Sequence, residues 1–489
     1  MSRLACLGIG VFAVVALAGA AVGDAQPSGP SVTHGVVVGG VTARSAVLWA
    51  RAGRGAVLNV RLAGGRHGRI EPVRVRAADD FTGQVRLRGL HPGTRYDYRA
   101  WFAAGNARGR AVRGSFRTAP GAGEEAGVRI AFGGDVAGQN VCRDAREGFP
   151  IMGAVLRRQP DVFVGLGDMI YADNACDATG RYGNAQVGGL AIATDLAGFR
   201  SHWRYSRADR ASQELLRRTG YVGVWDDHEV VNDFGPLTDA PTAPPYSGAH
   251  LLPIGLEAFL EYTPIAVASN TPGRLYRSLR WGRHVELFVL DTRQYRDANS
   301  ALDTPERPKT MLGREQVTWL RERLAASNAT WKVIVSSVPM SIPTGFPVAN
   351  GRDGWANFDQ QTGFEQELVG LLRFMAERGI DDTVWITTDV HFAEVFRYRP
   401  FPERPSFVVH ELATGPLNAG IFPNRDFDPT LGPERLFFHG PTTPEAVTSW
   451  EEAKRWFNFG ELEVRADGRL TARIVDTAGS TVFSLELAP

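Results

Sequence analysis

Cysteine is scarce in this chain. Three of the 489 residues are cysteine, and they do not have the paired spacing that structural zinc sites use. An imbalance of charge is missing as well, since 54 lysine and arginine residues nearly cancel 53 aspartate and glutamate residues. The composition therefore argues against a zinc-finger protein and gives no general indication of a nucleic-acid or polyanion partner. Any electrostatic feature must come from local clusters.

Long hydrophobic runs are missing after the N-terminus. There, Arg3 precedes an apolar run over 4–22, which small residues follow. This layout is typical of a secretory signal peptide, which we predict over 1–25. An uncleaved anchor is the alternative, because about 20 apolar residues can span a bilayer. After cleavage we expect a secreted or periplasmic monomer without a stable membrane span.

Two cysteines, Cys142 and Cys176, remain after the predicted signal peptide. In an oxidising compartment they could pair and join two loops. The alternative is a pair of unrelated thiols, and the sequence leaves both interpretations open.

Helical periodicity is missing from the first part of the predicted mature chain. Over 32–118, apolar and polar residues alternate in short runs, and turn signals such as Gly64-Gly65 separate them. This pattern predicts a small antiparallel β-sandwich of the immunoglobulin or fibronectin type, which we place at 26–120. Nothing in it suggests catalysis.

The pattern changes over 125–489, where continuous apolar strands alternate with amphipathic helical segments. Continuous apolar strands indicate a sheet covered on both faces, so this part predicts a layered α/β domain. The six expected strands lie at 128–134, 161–167, 221–225, 284–290, 331–339 and 382–388. A final antiparallel hairpin should close the sheet.

Acidic residues follow five of these six strands: Asp135, Asp168, Asp226 with Asp227, Asp291, and Asp389. Three further polar residues, Tyr171, His228 and His391, lie close behind them in the sequence. The carboxyl ends of parallel strands meet at one edge of a sheet, where ligands bind. We therefore expect these side chains to converge.

Converging carboxylates repel one another unless a cation holds them together. The sequence thus predicts a metal site, and the number of oxygen and nitrogen ligands favours two ions with Asp168 between them. Such a pair of ions can activate water for attack at phosphorus. Taken singly, Asp135 or Asp168 could instead cap a helix, and Asp291 could pair with Arg293 or Arg296. His202 and His410 are interpreted as structural histidines.

Six ordered blocks carry a family resemblance. They are "GDMIYAD", "WDDHEVVND", "LDTRQYR", "MLGREQVTWL", "TTDVHFAE" and "FGELEV". They resemble the signature blocks of the alkaline phosphatase D (PhoD-like) family of calcineurin-like metallophosphoesterases. The N-terminal "GVVVGGVTARSAVLWARA" is similar to the sandwich domain of that family. The resemblance therefore covers essentially the whole predicted mature chain.

The resemblance implies a four-layer αββα metallophosphatase sandwich preceded by the small all-β domain. It also implies two or three metal ions, most often iron and calcium, with manganese or zinc as alternatives. Asp168 and Tyr171 match iron ligands, and Asp389 and His391 match metal ligands. Asp135 is predicted as a further ligand, although family members carry a cysteine there, so the identity of the metal stays open.

The block "WDDHEVVND" leaves one ligand undecided. Its best alignment makes Asp227 a metal ligand and His228 the proton donor or oxyanion contact, whereas Asn232 competes as a calcium ligand. Asp226 is expected to point away and to orient Asp227. Arg293 is predicted to contact phosphate, because a guanidinium group matches phosphate geometry.

The function predicted from these features is hydrolysis of phosphate monoesters, diesters or both, by metal-activated hydroxide attack at phosphorus. The expected substrate is a small phosphate ester, without nucleic-acid-specific binding. One alternative is a phospholipase or phosphodiesterase that acts on lipid head groups. Another is a secreted binding protein without catalysis, which the complete set of acids and histidines argues against.

Overall fold

The structure is a computed structural model, and it describes residue 1 and residues 29–240, 246–266, 271–345, 350–358 and 360–489. The predicted signal peptide lies outside the described residues apart from Met1. The first part of the chain forms eight strands. They are β1 (Val32–Gly39), β2 (Ser45–Ala52), β3 (Ala56–Ala63), β4 (Val73–Val75), β5 (Thr82–Arg88), β6 (Arg95–Ala104), β7 (Ala107–Arg108) and β8 (Val112–Arg117).

The remaining strands follow the expected alternation with helices. They are β9 (Val128–Gly133), β10 (Val162–Gly165), β11 (Gly220–Gly223), β12 (Asp239–Ala240), β13 (Tyr246–Ser247), β14 (Arg277–Trp281), β15 (Val285–Val289), β16 (Trp331–Val335), β17 (Thr383–Thr387), β18 (Ala393–Tyr398), β19 (Val409–Ala413), β20 (Pro433–His439), β21 (Asn458–Val464), β22 (Leu470–Asp476) and β23 (Thr481–Leu487). The helices are α1 (Pro150–Arg158), α2 (Leu196–Arg207), α3 (Arg210–Leu216), α4 (Gly248–Tyr262), α5 (Gly313–Ala326), α6 (Glu365–Arg378) and α7 (Trp450–Trp456). All six predicted strands are confirmed.

Two large sheets face each other across the centre of the molecule. One has the order β23-β22-β21-β9-β10-β11-β1-β2-β5, and the other has the order β14-β15-β16-β17-β19-β18-β20. Apolar side chains from both sheets, such as Val164 and Val335, form one buried cluster between them. Helices cover the outer faces, with Trp203 of α2 in one outer cluster and Leu372 of α6 in the other. The predicted four-layer αββα arrangement is confirmed.

The N-terminal strands extend the first of these sheets. Strand β1 pairs in parallel with β11, with Val38 opposite Gly220, and β2 and β5 continue outwards. The other N-terminal strands form a second small sheet, so the all-β domain shares one of its two sheets with the α/β domain. The salt bridges of Asp80 to Arg51 (2.8 Å) and Arg204 (2.6 Å) reinforce this junction. The domain boundaries at 26–120 and 125–489 stay a prediction.

A disulfide joins the segment after β9 to the segment after β10. Cys142 and Cys176 are both buried and are bonded, with their Cα atoms 5.9 Å apart. The open question about these thiols is therefore decided in favour of pairing. The bond closes a loop with a sequence separation of 34 that contains Asp168 and Tyr171. None of the helices in the described part of the chain combines the length and the hydropathy that crossing a bilayer requires.

The disulfide should contribute measurably to stability. We expect the double variant Cys142→Ser/Cys176→Ser to lose about 3–4 kcal/mol in free energy of unfolding, because a loop of this length is no longer closed in the unfolded chain. Denaturant unfolding under oxidising conditions measures the difference. A reductant should lower the stability of the wild type towards that of the variant and leave the variant unchanged. Equal stabilities of the two oxidised proteins would contradict the prediction.

Candidate metal centre

The site lies where both large sheets present the carboxyl ends of parallel strands. In one sheet β9, β10 and β11 run parallel, and in the other β15, β16 and β17 do. Asp168 follows β10 and Asp389 follows β17, yet their carboxylates belong to one cluster. The predicted convergence is therefore observed across two sheets and not along the edge of one.

An unusual backbone conformation directs several of these side chains towards the site. Asp135, Asp168, Asp389 and His391 have φ angles of 65°, 52°, 81° and 63°. This left-handed region is uncommon for residues other than glycine, although Asp and His enter it more readily than most. Non-glycine residues held in it cluster at functional sites. The strand ends are thus bent so that the side chains turn into one space.

Asp135, Tyr171 and His391 form the first part of the centre. The Tyr171 hydroxyl lies 3.1 Å from Asp135 Oδ1 and 2.9 Å from His391 Nε2. His391 Nε2 is 3.5 Å from Asp135 Oδ1. Thr388 donates its hydroxyl proton to the other Asp135 oxygen at 2.6 Å. Three side chains that the sequence separates widely thus present an oxygen, an oxygen and a nitrogen to one point.

The protonation of His391 suits a metal ligand. Its Nδ1 faces the carbonyl of Gly420, and a carbonyl only accepts, so Nδ1 carries the proton and Nε2 presents a lone pair. Burial lowers the pKa of His391 to about 3 and so keeps the ring neutral. Burial also raises the pKa of Asp135 to about 7, despite the hydrogen bonds from Thr388 and Tyr171.

Six aspartates form the second part of the centre. With a ring nitrogen of His228, their oxygens form three overlapping groups, and the atoms within each group lie within 4.8 Å of one another: Asp168, Asp227 and His228; Asp168, Asp226, Asp227 and Asp389; Asp227, Asp233 and Asp353. Burial and the neighbouring carboxylates raise the pKa values of Asp168 and Asp389 well above the ordinary range. These carboxylates would bind protons at neutral pH unless a metal cation bound to them instead.

Buried oxygens without a hydrogen-bond partner show how this set fits a metal. Among the described residues, Asp168 Oδ2, Asp226 Oδ2, Asp353 Oδ1 and Asp389 Oδ2 are such atoms. An unpaired buried carboxylate oxygen is costly, and native proteins seldom keep several of them together. Oxygen-rich ligands of this kind match divalent cations. The residues present therefore fit a metal centre.

His228 and Tyr171 stack at the side of the acids, with ring centroids 4.0 Å apart. His228 Nδ1 lies 2.7 Å from Asp173 Oδ1, and the backbone N–H of His228 donates to Asp168 Oδ1 at 3.1 Å. Burial disfavours the charged ring, but Asp173 and Asp227 outweigh it and raise the pKa of His228 to about 10. Asp173 therefore holds the His228 ring in a fixed orientation and favours its protonated form.

Glu229 joins two of the loops that carry the acids. One of its carboxylate oxygens accepts the backbone N–H of Asp168 (2.9 Å) and that of Asp226 (2.8 Å), and the other accepts Met169 N–H (2.8 Å). Gly167, directly before Asp168, has a φ of 119°. A Cβ atom at this position would lie 2.6 Å from Asp226 Cβ and would clash with it. Glu229 is thus a buried brace between the ends of β10 and β11.

A cavity of about 250 Å³ opens over the acids. His228 and His391 line it, as do Asp389 and both candidates for the undecided ligand, Asp227 and Asn232. The backbone N–H of Asn232 donates to Asp173 at 2.9 Å, which places this loop beside His228. The structure thus brings Asp227 and Asn232 to the same site. Which of the two binds a metal stays open.

Two family models match almost the entire chain. The PhoD-like phosphatase model matches residues 131–473, and the model of the PhoD-like phosphatase N-terminal domain matches residues 16–120. The chain belongs to the PhoD-like phosphatase family. The family identified from the sequence blocks is thereby confirmed.

Individual relatives agree with this family. The chain is 27% identical over 247 residues to alkaline phosphatase D of Bacillus subtilis, a match that covers 47% of this chain and 41% of that protein. A solved structure of PhoD has a TM-score of 0.73 at 20% identity and covers 94% of this chain and 89% of its own. A purple acid phosphatase from yellow lupin has a TM-score of 0.60 at 14% identity, with 94% and 73% covered. These two structures support the fold.

In this family member Arg293 does not face the cavity, contrary to its predicted contact with phosphate. The side chain is fully buried, and its guanidinium group donates to Asp226 Oδ1 at 2.5 Å and to Asp353 Oδ2 at 2.9 Å. A third nitrogen lies 3.6 Å from Asp227. Because its guanidinium group is bound to acids of the centre and does not line the cavity, Arg293 positions these acids.

Asp226 and Asp291 also differ from expectation. Asp226 does not point away, because its carboxylate lies in the group with Asp168. Asp291 lies outside the acid groups: its Oδ1 accepts Trp225 Nε1–H at 2.9 Å and the backbone N–H of Gln294 at 3.1 Å. Asp291 therefore caps its own loop, neither binding with the acids nor pairing with an arginine. His202 is structural as interpreted, with Nε2 2.9 Å from the Ala191 carbonyl.

Several residues of the centre were not selected from the sequence. Asp173 closes the block "GDMIYAD", and Asp233 closes "WDDHEVVND", so the motifs already contained both signals. Asp353 has no such signal, because it lies in an irregular segment far from any strand end. Its place beside Arg293 depends on the tertiary structure.

Asp168 should be essential for metal retention. We expect Asp168→Asn to retain less bound metal than the wild type, because it removes a charge that two of the acid groups share. The control is Asp291→Asn, which changes another buried acid after a strand but outside those groups, and it should retain the wild-type metal content. Elemental analysis of the purified proteins measures both. Equal metal content in Asp168→Asn and the wild type would contradict the assignment.

Proposed function

We propose that this protein is a metal-dependent phosphoesterase that hydrolyses small phosphate monoesters, diesters or both outside the cytoplasm. The observation that carries the proposal is the cluster of buried aspartates whose oxygens lack hydrogen-bond partners, beside a cavity and a protonated histidine. Membership of the PhoD-like phosphatase family supports it. The similarity to alkaline phosphatase D of Bacillus subtilis also supports the proposal, although the match covers 41% of that protein.

Metal ions bound here would activate water for attack at phosphorus and neutralise phosphate oxygens. Asp135, Tyr171, His391 and Asp168 are the proposed ligands of an iron ion. Asp168, Asp389 and either Asp227 or Asn232 are the proposed ligands of calcium. The mixed oxygen and nitrogen set around Tyr171 suits a transition metal, whereas the all-oxygen set suits a hard cation. Manganese or zinc in place of iron is the alternative.

His228 is the proposed proton donor to the leaving oxygen. It lines the cavity, and Asp173 holds Nδ1, so Nε2 is the nitrogen available to a substrate. Its raised pKa of about 10 keeps it protonated at neutral pH. Geometry and protonation therefore both suit a general acid.

Arg425 takes over the role that the sequence suggested for Arg293. It lines the same cavity as His228 and Asp389, with its guanidinium 5.6 Å from the centroid of the Phe422 ring. A guanidinium group that lines the same cavity as the acids can bind a phosphate oxygen there. We propose Arg425 as the phosphate contact.

A phosphodiesterase or phospholipase acting on lipid head groups is the second candidate. It shares the centre and would differ in the loops around the cavity. The proposed location outside the cytoplasm rests on the predicted signal peptide and agrees with the buried disulfide, because disulfides persist in oxidising compartments. A monomer is proposed on the sequence alone.

The decisive test combines metal analysis with two substrates. We expect purified protein to contain iron and calcium, to hydrolyse a nitrophenyl phosphate monoester or diester, and to lose this activity when a chelator removes the metal. Added metal should restore it. Protein that carries no metal and hydrolyses neither ester when iron and calcium are supplied would overturn the proposal. The ratio of monoester to diester turnover separates the two candidate activities.

The leaving group tests His228. We expect His228→Asn to slow an alkyl phosphate by about 10²–10⁴-fold, because an alkoxide needs a proton as it leaves. A nitrophenyl ester should slow much less, since nitrophenolate leaves without one. The control is His410→Asn, which changes a half-buried histidine of β19 and should affect both esters equally. Equal losses on both esters in His228→Asn would contradict the role of proton donor.

A further inference from the structure

Three arginines form a row across the small N-terminal sheet. Arg61 of β3 lies directly opposite Arg99 of β6, and Arg99 lies directly opposite Arg113 of β8. All three side chains are exposed. Neighbouring strands are about 4.8 Å apart, and residues paired in register point to the same face. We call these three residues the arginine row.

The arginine row lacks acidic partners. Among the described residues, none of its three guanidinium groups forms an ion pair. Asp97 is the acid on the same face, but it belongs to the next row, opposite Ala63 and Ser115. Like charges directly opposite each other destabilise a sheet. An anion that binds across the row would remove this cost.

The arginine row lines a groove large enough for an extended ligand. The groove has a volume of about 620 Å³, and Asp97 and Gly114 also line it. Further along the same face, Arg95 lies opposite Arg117. These two line a second pocket of about 380 Å³ together with Arg218 and Asp161, and Arg117 pairs with Asp161 at 3.7 Å. The basic surface therefore continues along β6 and β8 beyond the row.

This surface lies near the amino end of β11, whereas the metal centre lies at the carboxyl end of that strand. The backbone N–H of Ser115 in β8 donates to the Arg217 carbonyl at 3.0 Å, and Arg217 comes shortly before β11. Asp227 and His228 follow the other end of that strand. A ligand on the arginine row is thus held at the amino end of the parallel strands and does not enter the catalytic cavity.

We propose that the arginine row and its groove bind a linear polyanion with closely spaced phosphate groups, and that this attachment is separate from catalysis. Three guanidinium groups at strand spacing match a chain of charges better than a single small anion. Arginine favours phosphate because its fork of N–H donors fits the phosphate oxygens. The bound polymer would hold the enzyme while the metal centre faces away from it.

Other polyanionic partners fit the surface less well. Single-stranded nucleic acid is bound through aromatic faces on which bases stack, but Tyr98, the aromatic residue that lines the groove, is buried. Trp101, on the same strand, is covered by Arg108 at 4.2 Å. A flat bilayer does not follow a groove, and the exposed large apolar side chains of the described residues lie on other parts of the chain.

The experiment uses the full metal-loaded protein and a labelled long-chain inorganic polyphosphate, with binding measured by fluorescence anisotropy at several salt concentrations. We expect Arg61→Ala/Arg99→Ala/Arg113→Ala to weaken binding at least about 10-fold. The slope of log affinity against log salt should fall by about 2, which is three contacts at about 0.7 each. The control removes the same charge from three other exposed arginines, in Arg44→Ala/Arg307→Ala/Arg314→Ala, and should bind like the wild type.

The binding experiment tests the polyanion proposal independently of the proposed phosphoesterase activity. Nitrophenyl ester turnover should be the same in the row variant and the wild type, and a chain without such activity would still show the difference in binding. Equal binding by the row variant and the wild type, or an equal loss in the control, overturns the proposal. Tighter binding of single-stranded DNA or of anionic vesicles than of polyphosphate also overturns it. If the triple variant does not fold, Arg99→Gln alone should lower the slope by about 0.7.

Discussion

Repulsion between buried carboxylates is the interaction around which this protein is organised. Aspartates from loops of two sheets lie within 4.8 Å of one another, which is unfavourable without compensating positive charge. The protein supplies part of it: Arg293 is fixed between Asp226 and Asp353, and Asp173 favours the protonated form of His228. The remaining unpaired oxygens account for the fit to metal ions. Charge compensation therefore links the fold to the proposed chemistry.

The acids stay close together only if the loops that carry them cannot move apart. Glu229 binds the loops after β10 and β11 to each other through three N–H groups. The disulfide between Cys142 and Cys176 closes the segment in which Asp168 and Tyr171 lie. The left-handed backbone at several candidate ligand positions persists because these contacts constrain the surrounding loops. Rigid support of this kind keeps ligands in place when their own charges oppose it.

Much of the candidate centre could be predicted from strand ends. Asp135, Asp168, Asp389 and His391 follow apolar strands, and the rule that ligands bind at the carboxyl ends of strands predicts that they converge. The same rule misplaced Asp291, which also follows a strand but caps its own loop. Strand position does not determine which hydrogen bonds a carboxylate makes, because these depend on residues such as Trp225 that pack around it. Asp353 was missed because it lies in an irregular loop.

The sequence by itself determined the layered α/β fold, the all-β domain before it, the family and most of the acids of the centre, because periodicity and motif blocks are local in the chain. The tertiary structure alone decided that Arg293 pairs with acids of the centre, that Arg425 lines the cavity, and that Cys142 pairs with Cys176. It also decided that three arginines far apart in sequence form one row. The register between strands and the packing of loops are long-range properties, and neither residue of a pair encodes them alone.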